Sequence, residues 1–387
     1  MRPFRWTSPV TWDQMRRLAK FGASWILIAV GTTGTLVSQD GRRVIIHDPK
    51  DCPHCRLQLR RLASFSLPDS VRLAPIPHLL SFEETKLGQY LVGPDTTGAQ
   101  FYLLSRDGHL LQRIGHRGRA AGKFGLVTRI ASCGAAESSI CVLDKMRRRV
   151  TVFSPRLALQ DTIALPGSFD DVVSLKDGRL VAAGFIHTRE SVGFPLHLTS
   201  VPGTLMRSFG SNDQHYGPGD RLSDLRTLAP RRPDGWWSSW LAAYVVEGWT
   251  VDGRRDLLIE RKTSSFVADT SPLVQREDVS RPRHLVLGIR GDEAGLLWVT
   301  VRVEDVRWKA ARMKVGSHSV PLPLEQLNGY LDTIIELIDP VKGRLVGRVR
   351  HPLLLVPSRG SRRWFGVTRE RNQSVLEVFS AAAAETP

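Results

Sequence analysis

The chain has 387 residues, of which 42% are hydrophobic and 24% are charged, and it contains 33 glycines, 23 prolines and four cysteines. This composition is typical of a globular protein with a sizeable core, and it excludes a disordered, collagen-like or disulfide-saturated chain. A multi-span transporter is also excluded, because only one apolar stretch approaches the length of a membrane span. The formal charge of +16 comes mainly from arginine, with 44 Arg against 10 Lys. Because a GC-rich genome produces the same skew, the charge alone is weak evidence for a polyanionic partner.

The first forty residues contain the three parts of a secretory signal. Basic residues follow Met15, residues 21–37 carry no charge, and a polar segment begins at Ser38. This pattern predicts export, with synthesis starting at Met15 and cleavage near Ser38. A retained membrane anchor is the alternative, although the apolar run is short and interrupted by glycine and threonine. We therefore expect residues 1–38 to be a signal peptide or N-terminal anchor, and the mature protein to be periplasmic or secreted.

Beyond Pro68, short β-rich runs separated by turn residues recur along the chain. The last turns of successive units fall near residues 107, 155, 203, 252, 340 and 372, and three consecutive steps span 48 or 49 residues. Units of three to four strands at a fixed period indicate propeller blades, so six turns predict six blades. The one long step contains an insertion of about residues 304–329. A seven-bladed ring or an irregular β-sandwich is the alternative.

The two ends of the repeat region predict how the ring closes. The last unit has few strands of its own, whereas the strand-like run Cys55–Leu67 has no unit to join. We predict that this run pairs into the last blade, because that pairing removes an exposed sheet edge. The expected organisation is a Cys-containing segment with the closing strand over 39–68, an all-β six-bladed propeller over 69–380 and a tail over 381–387.

One unit carries a family resemblance. The glycine-rich segment Arg113–Gly125, followed by Ser139–Asp144 and Arg148–Phe153, resembles an NHL-type repeat, and Leu331–Pro340 resembles six-bladed propeller proteins of bacterial secretomes. The resemblance implies a six-bladed propeller over roughly residues 56–380. It implies no particular chemistry, because such propellers serve as binding proteins, lyases and lactonases alike.

The tetrapeptide Cys52-Pro-His-Cys55 equals the active-site motif of periplasmic disulfide oxidases of the thioredoxin family. However, no βαβ framework surrounds it, and the residues that follow alternate as a strand. We therefore expect a small-ring disulfide between Cys52 and Cys55. A redox pair is one alternative. A metal cluster is another, and it would add His47, Asp48 and His54.

A second pair of cysteines flanks a short loop. Cys133 and Cys141 lie at the ends of two strand-like runs, and such positions in an antiparallel pair can oppose each other within disulfide reach. Two local disulfides suit an oxidising compartment. Two buried free thiols are the alternative.

No catalytic constellation is recognisable in the sequence. A lactonase or lyase propeller needs a metal or general base in its central channel, held by side chains from several blades. Single histidines do not recur at one place in the repeat, and we interpret them as structural: His78, His187, His197, His215, His284 and His318. The acidic pairs Asp170-Asp171 and Asp292-Glu293 are interpreted as solvated loop charges. We therefore predict no catalytic, cofactor or metal-binding residue; a hydrolase or lyase with a divalent metal such as calcium in the channel is the alternative.

Clustered arginines near tryptophans form the candidate ligand face. Charge and stacking together could recognise a protein or an anionic polysaccharide, and export argues against nucleic acid. The residues of this face are Arg231, Arg232, Trp236, Trp237, Arg254 and Arg255. The alternative is that the tryptophans pack between blades and the arginines are solvated, as in a further cluster at Arg359–Arg363. The sequence thus favours a non-catalytic exported binding or scaffold propeller, with a membrane contact only through an uncleaved N-terminal segment.

Overall fold

The computed structural model describes residues 41–48, 55–74, 80–134, 139–186, 188, 191, 193–200, 203–210, 225–268, 282–305, 312–315, 318–321, 330–370 and 373–383. Their regular structure consists of β-strands, with no helix among them. The predicted signal or anchor over residues 1–38 lies outside the described residues. No helix of the described part of the chain has the length and apolarity needed to cross a membrane.

Two strands, β1 (Arg42–His47) and β2 (Leu57–Ser66), precede the first blade. Blade 1 contains β3 (Ser81–Glu84), β4 (Tyr90–Gly93), β5 (Phe101–Leu104) and β6 (Leu110–Ile114). Blade 2 contains β7 (Val127–Cys133), β8 (Ser139–Asp144), β9 (Arg149–Phe153) and β10 (Leu159–Ala164). Blade 3 contains β11 (Ser168–Ser174), β12 (Leu180–Phe185), β13 (Leu196–Thr199) and β14 (Leu205–Phe209).

Blade 4 contains β15 (Arg226–Pro230), β16 (Trp236–Trp240), β17 (Val245–Trp249) and β18 (Arg255–Lys262). Blade 5 contains β19 (Leu285–Gly291), β20 (Leu297–Glu304), β23 (Leu331–Asp339) and β24 (Arg344–His351). A separate hairpin of β21 (Arg312–Val315) and β22 (His318–Pro321) lies within the predicted insertion. Blade 6 contains β25 (Leu355–Pro357), β26 (Trp364–Glu370) and β27 (Gln373–Ala383).

The six sheets form the predicted six-bladed ring, and the first strands of the blades neighbour one another around its axis. Strand β2 completes blade 6 by antiparallel pairing with β27, from Leu57 opposite Ala383 to Ser66 opposite Val375. The predicted closing strand is therefore confirmed. Strand β2 is the fourth strand of blade 6. The sixth turn of the sequence repeat, near residue 372, therefore joins the second and third strands of this blade, whereas each of the other five turns joins a third strand to a fourth.

Each blade packs on its neighbours through buried apolar side chains, which is why a blade needs a partner on both faces. Between blades 1 and 2, Phe101 and Phe124 have ring centroids 5.9 Å apart. Between blades 3 and 4, Trp236 stacks on Trp249 with ring centroids 6.3 Å apart, and Phe209 packs against both. The periodic turns fit this packing closely. At Gly108, with φ +85°, a Cβ atom would lie 2.1 Å from Phe65 of the closing strand.

Strand β1 is an addition that the sequence reading missed. It pairs in parallel with β18 as the fifth strand of blade 4, with Val44 opposite Ile259. Behind it, the fully buried guanidinium of Arg261 binds Glu336 of blade 5, with Nε 2.9 Å from Oε2, and Asp48 just after β1. Tyr244 also donates to Glu336, at 2.7 Å. The N-terminal segment thus contacts blade 4, continues past blade 5 at the bridge between Arg56 and Arg348, and ends in blade 6.

The antiparallel blades give the ring two distinct faces. Turns between first and second strands and between third and fourth strands lie on one face, which we call the turn face. The connections between second and third strands, and those between blades, lie on the other, which we call the linker face. The functional question is what each face and the channel between them present.

Candidate functional site

The central channel holds a polar cluster contributed by five blades. Its charged members are Glu83 on β3, Arg129 on β7, Asp171 on β11 and Arg359 just after β25. Thr227 on β15 completes the cluster. These side chains are wholly or largely buried, so each charge depends on its neighbours rather than on water.

Arg359 crosses the channel from blade 6 to blade 3, on the opposite side of the ring. Its guanidinium binds the carboxylate of Asp171 and donates to Thr227 Oγ1 at 2.8 Å. Asp171 also accepts from the Leu228 amide at 2.7 Å, and Arg129 Nε lies 3.2 Å from its second oxygen as an ion pair. Burial, followed by the charge of Arg129, lowers the pKa of Arg359 to about 10, so the guanidinium stays protonated at neutral pH.

Glu83 lies in a nest of donors formed chiefly by the turn that carries Arg359. The amide of Gly360 donates to its carboxylate at 2.9 Å, the amide of Arg359 at 3.2 Å, and the hydroxyls of Ser132 and Ser358 at 3.1 and 3.2 Å. Burial nevertheless raises the pKa of Glu83 to about 7, because desolvation outweighs these hydrogen bonds. A Cβ atom on Gly360 would lie 2.1 Å from the carboxylate, so the turn closes tightly over it.

These contacts correct two interpretations of the sequence. Asp171 is completely buried on a first strand rather than solvated in a loop, and Arg359 points into the channel rather than belonging to an exposed cluster. The other acidic pair divides: Asp292 caps its turn and accepts from the Trp298 indole at 3.1 Å, whereas the Glu293 side chain is 77% exposed.

The cluster does not fit the metal that a hydrolase or lyase would need. Both of its acids are already bound by cations or amide donors, and Arg359 links them, with its amide on Glu83 and its guanidinium on Asp171. Among the described residues, no three His, Cys, Asp or Glu side chains are close enough to hold a metal ion.

One of the two predicted disulfides lies beside this channel. Cys133 and Cys141 form a disulfide with Cα atoms 5.8 Å apart, joining β7 to β8. It lines a small cavity of about 50 Å³ that also contacts Ser132 and Arg359. Cys55 is disulfide-bonded as well, and Cys52 lies outside the described residues.

The candidate ligand face is split by the structure. Trp236 and Trp237 are buried between blades, so neither can stack on a ligand, which corrects that part of the prediction. Arg231 covers the Trp237 ring with its guanidinium carbon 4.7 Å from the ring centroid, and it pairs with Asp256. Arg255 pairs with Glu247 at 3.1 Å.

Arg232 and Arg254 remain exposed on the turn face. Arg232, with its side chain 61% exposed, lies 3.6 Å from Glu293. It stands with Arg231 between two clefts, one of about 550 Å³ that reaches blade 3 and one of about 260 Å³ that reaches blade 5. Sequence reading had no signal for these clefts, because their walls come from separate blades.

The residues that carry the NHL resemblance support a loop. Asp144 accepts from the amides of Gly125 and Leu126 at 2.8 and 3.0 Å. Arg149 donates to the carbonyls of Arg119 and Ala120 at 3.0 and 2.9 Å. The motif is therefore compatible with the family and acts here by fixing the glycine-rich connection between blades 1 and 2.

Among the histidines interpreted as structural, His197 has both ring nitrogens engaged inside blade 3. It is fully buried, with Nδ1 2.9 Å from Ser208 Oγ and Nε2 3.2 Å from the Gly184 carbonyl. Burial lowers its pKa to about 4, so the ring is neutral. The side chains of His78, His187, His215 and His318 lie outside the described residues.

Solved structures with the same overall fold exist at low sequence identity. A Bacteroides fragilis protein named as exported is 11% identical, covers 89% of this chain and 100% of its own, and superposes with a TM-score of 0.59. A DUF4221 family member from Bacteroides vulgatus is 9% identical, with 86% and 100% coverage and a TM-score of 0.54. Virginiamycin B lyase from Staphylococcus aureus is 8% identical, with 83% and 99% coverage and a TM-score of 0.42. No protein-family model and no curated protein sequence matches the chain. The two similarities with TM-scores above 0.5 establish the propeller fold alone.

Proposed function

We propose that this protein is a non-catalytic exported propeller that recognises an acidic partner protein through its turn face. The observation that carries the proposal is the pair of clefts on that face, about 550 and 260 Å³, which share Arg231 and Arg232. Clefts separated by an arginine ridge suit an irregular acidic surface, because a guanidinium offers a carboxylate two parallel donors.

The channel supports a binding role over chemistry on the axis. Propeller enzymes of the lactonase or lyase type need a metal or base there, whereas Arg359 and Asp171 neutralise each other in that space. The buried tryptophans favour a protein over a glycan, since no aromatic platform from Trp236 or Trp237 is left to stack on sugar rings.

Charge reversal on the turn face tests the proposal. Arg232→Glu combined with Arg254→Glu should weaken binding to polyglutamate, used as the acidic protein probe, by about tenfold or more, or about 1.4 kcal/mol. The matched control is Arg60→Glu combined with Arg148→Glu, which makes the same charge change away from the turn face. Equal losses of affinity in both double variants would show that binding depends on net charge and not on the turn face. Tighter binding to polygalacturonate than to polyglutamate would indicate an anionic glycan as the partner.

Export is the second half of the proposal. It is supported by the basic, apolar and polar order of residues 15–40 and by the disulfide between Cys133 and Cys141. Intact mass of the unreduced protein, expressed with its own N-terminus, should show a chain starting near Gln39 with no free thiols. A full-length chain with four free thiols would contradict export.

A further inference from the structure

We infer that the seam where the ring closes carries a second, separate site, which binds a small polyhydroxylated oxyanion such as a sugar acid or sugar phosphate. The site is a cleft of about 520 Å³ on the linker face, between the closing blade 6 and blade 1. Its size falls within the range of ligand pockets and exceeds what an inorganic anion fills. This inference is independent of the proposed partner on the turn face.

Two arginines stand on opposite walls of this cleft. Arg72 belongs to the connection between β2 and β3, and Arg369 lies near the end of β26, opposite Ser374 of β27. Both side chains are exposed at the cleft, and neither guanidinium has a hydrogen-bond or ion-pair partner within the described part of the chain.

This lack of partners distinguishes the seam from the turn face. In the clefts of the turn face two of the lining cations are held by internal carboxylates, since Arg231 binds Asp256 and Lys176 binds Asp234 at 3.0 Å, while Arg232 has only a longer contact of 3.6 Å with the exposed Glu293. In the seam cleft, the acid that lines the wall is Asp69, and it makes no ion pair with either arginine in the described structure. Two guanidinium groups are therefore available to an anion, without an internal carboxylate to displace.

The walls are held in place before any ligand arrives. The Leu67 amide donates to the Ser374 carbonyl at 2.7 Å, and the Thr96 amide donates to the Arg72 carbonyl at 3.1 Å. A further bond, from the Ala74 amide to the Pro94 carbonyl at 3.0 Å, fixes the far end of the connection. Preorganised walls reduce the entropy lost on binding, so two modest charge contacts can suffice.

The remaining lining indicates what the anion is attached to. Thr96 and Gln373 offer hydroxyl and amide groups, and the Asp69 carboxylate can accept from ligand hydroxyls. Apolar contact is limited to aliphatic side chains, with no aromatic ring among the lining residues. A compact ligand with one acidic group and several hydroxyls matches these walls better than an apolar or cationic ligand.

Ligand-induced thermal shift and calorimetry on the mature chain test the inference. Galacturonate and glucose 6-phosphate should raise the unfolding temperature, whereas neutral galactose should not, and inorganic phosphate should bind more weakly than glucose 6-phosphate. Arg72→Ala and Arg369→Ala should each weaken binding by about tenfold, as expected for loss of one charged hydrogen-bonding group. The matched control is Arg60→Ala, which removes another exposed arginine, on the closing strand β2.

Three outcomes would overturn the inference: an anion effect unchanged in both variants, an equal loss in Arg60→Ala, or galactose binding as well as galacturonate. Preference for the carboxylate or the phosphate ligand decides between the two sources of the oxyanion. If Arg72→Ala fails to fold, Arg72→Lys serves in its place and should retain weakened binding. Arg232→Glu should leave this binding unchanged, so failure here is separable from failure of the turn-face proposal.

Discussion

Arg359 and Asp171 lie in opposite blades of the ring, 188 residues apart in the chain, and their side chains meet within the central channel. Most contacts in a propeller join neighbouring blades, whereas this ion pair links opposite blades across the channel. The ion pair also holds the turn that closes over Glu83, because Arg359 belongs to that turn. The amides of Arg359 and Gly360 donate to the Glu83 carboxylate.

Removal of the cross-channel cation should be costly. Arg359→Met leaves Asp171 with a single cation, Arg129, and we expect it to lower the free energy of unfolding by about 3–5 kcal/mol, as for other broken buried pairs. Arg362→Met changes an exposed arginine of the same turn and should cost less than about 0.5 kcal/mol. Urea unfolding of both variants is the measurement. A cost of Arg359→Met no larger than that of its control would mean that the pair does not stabilise the ring.

Glu83 should make stability depend on pH. Its pKa is raised from 4.5 to about 7 in the folded state, so between these values the folded protein retains a proton that the unfolded chain has lost. Stability from this group therefore falls as the pH rises through that window, by a total of about 3 kcal/mol, and stays constant above it. Glu83→Gln cannot titrate. Urea unfolding at several pH values should show the stability of wild type, relative to that of Glu83→Gln, falling by about 3 kcal/mol as the pH rises from 4.5 to about 7; parallel curves would contradict the assignment.

The disulfide between Cys133 and Cys141 should stabilise the wall of the channel. Closing so short a loop restricts the unfolded chain, and its loss should cost about 2.5 kcal/mol by the chain-entropy estimate. Cys133→Ala combined with Cys141→Ala should therefore unfold at lower temperature than wild type. Adding a reductant to wild type should produce most of the same shift, and it should shift the double variant much less, because there only the disulfide of Cys55 is left to reduce. A reductant effect of equal size in the double variant would place the sensitivity elsewhere, for example at Cys55.

The buried network behind β1 offers a further test. Arg261→Met leaves the Glu336 carboxylate in a buried site with its main cation gone, and we expect a loss of about 3–5 kcal/mol. Lys262→Met alters the next side chain, which is 60% exposed, and should have little effect. Limited proteolysis gives a second readout, because cleavage within residues 42–48 should become faster in Arg261→Met and not in Lys262→Met. Unchanged protection would show that β1 is held by its strand pairing alone.

Sequence patterns predicted the parts of the fold that depend on local spacing. Turn residues must recur wherever a blade reverses, so the repeat revealed the blades, and the unpaired run near Cys55 revealed the closing strand. The channel cluster could not be predicted from such patterns, because nothing in the residues around Arg359 or Asp171 indicates that the two side chains are in contact. Trp236 was misassigned for a related reason: both faces of a blade are covered by neighbours, so alternation along a strand does not separate ligand-facing from buried positions.

The pairing of β2 with β27 also governs the order of folding. Arg61 and Glu377, which meet across this pair, are separated by 316 positions, so one of the first strands to be synthesised waits for the last. Blades 1 to 5 contain their four strands within continuous stretches and can assemble as the chain emerges, whereas closure must await the C-terminus. Until then β2 and the open face of blade 1 are unpaired and prone to association. Completion of the ring is therefore a late event, and a chain shortened at its C-terminus would retain most blades but never close.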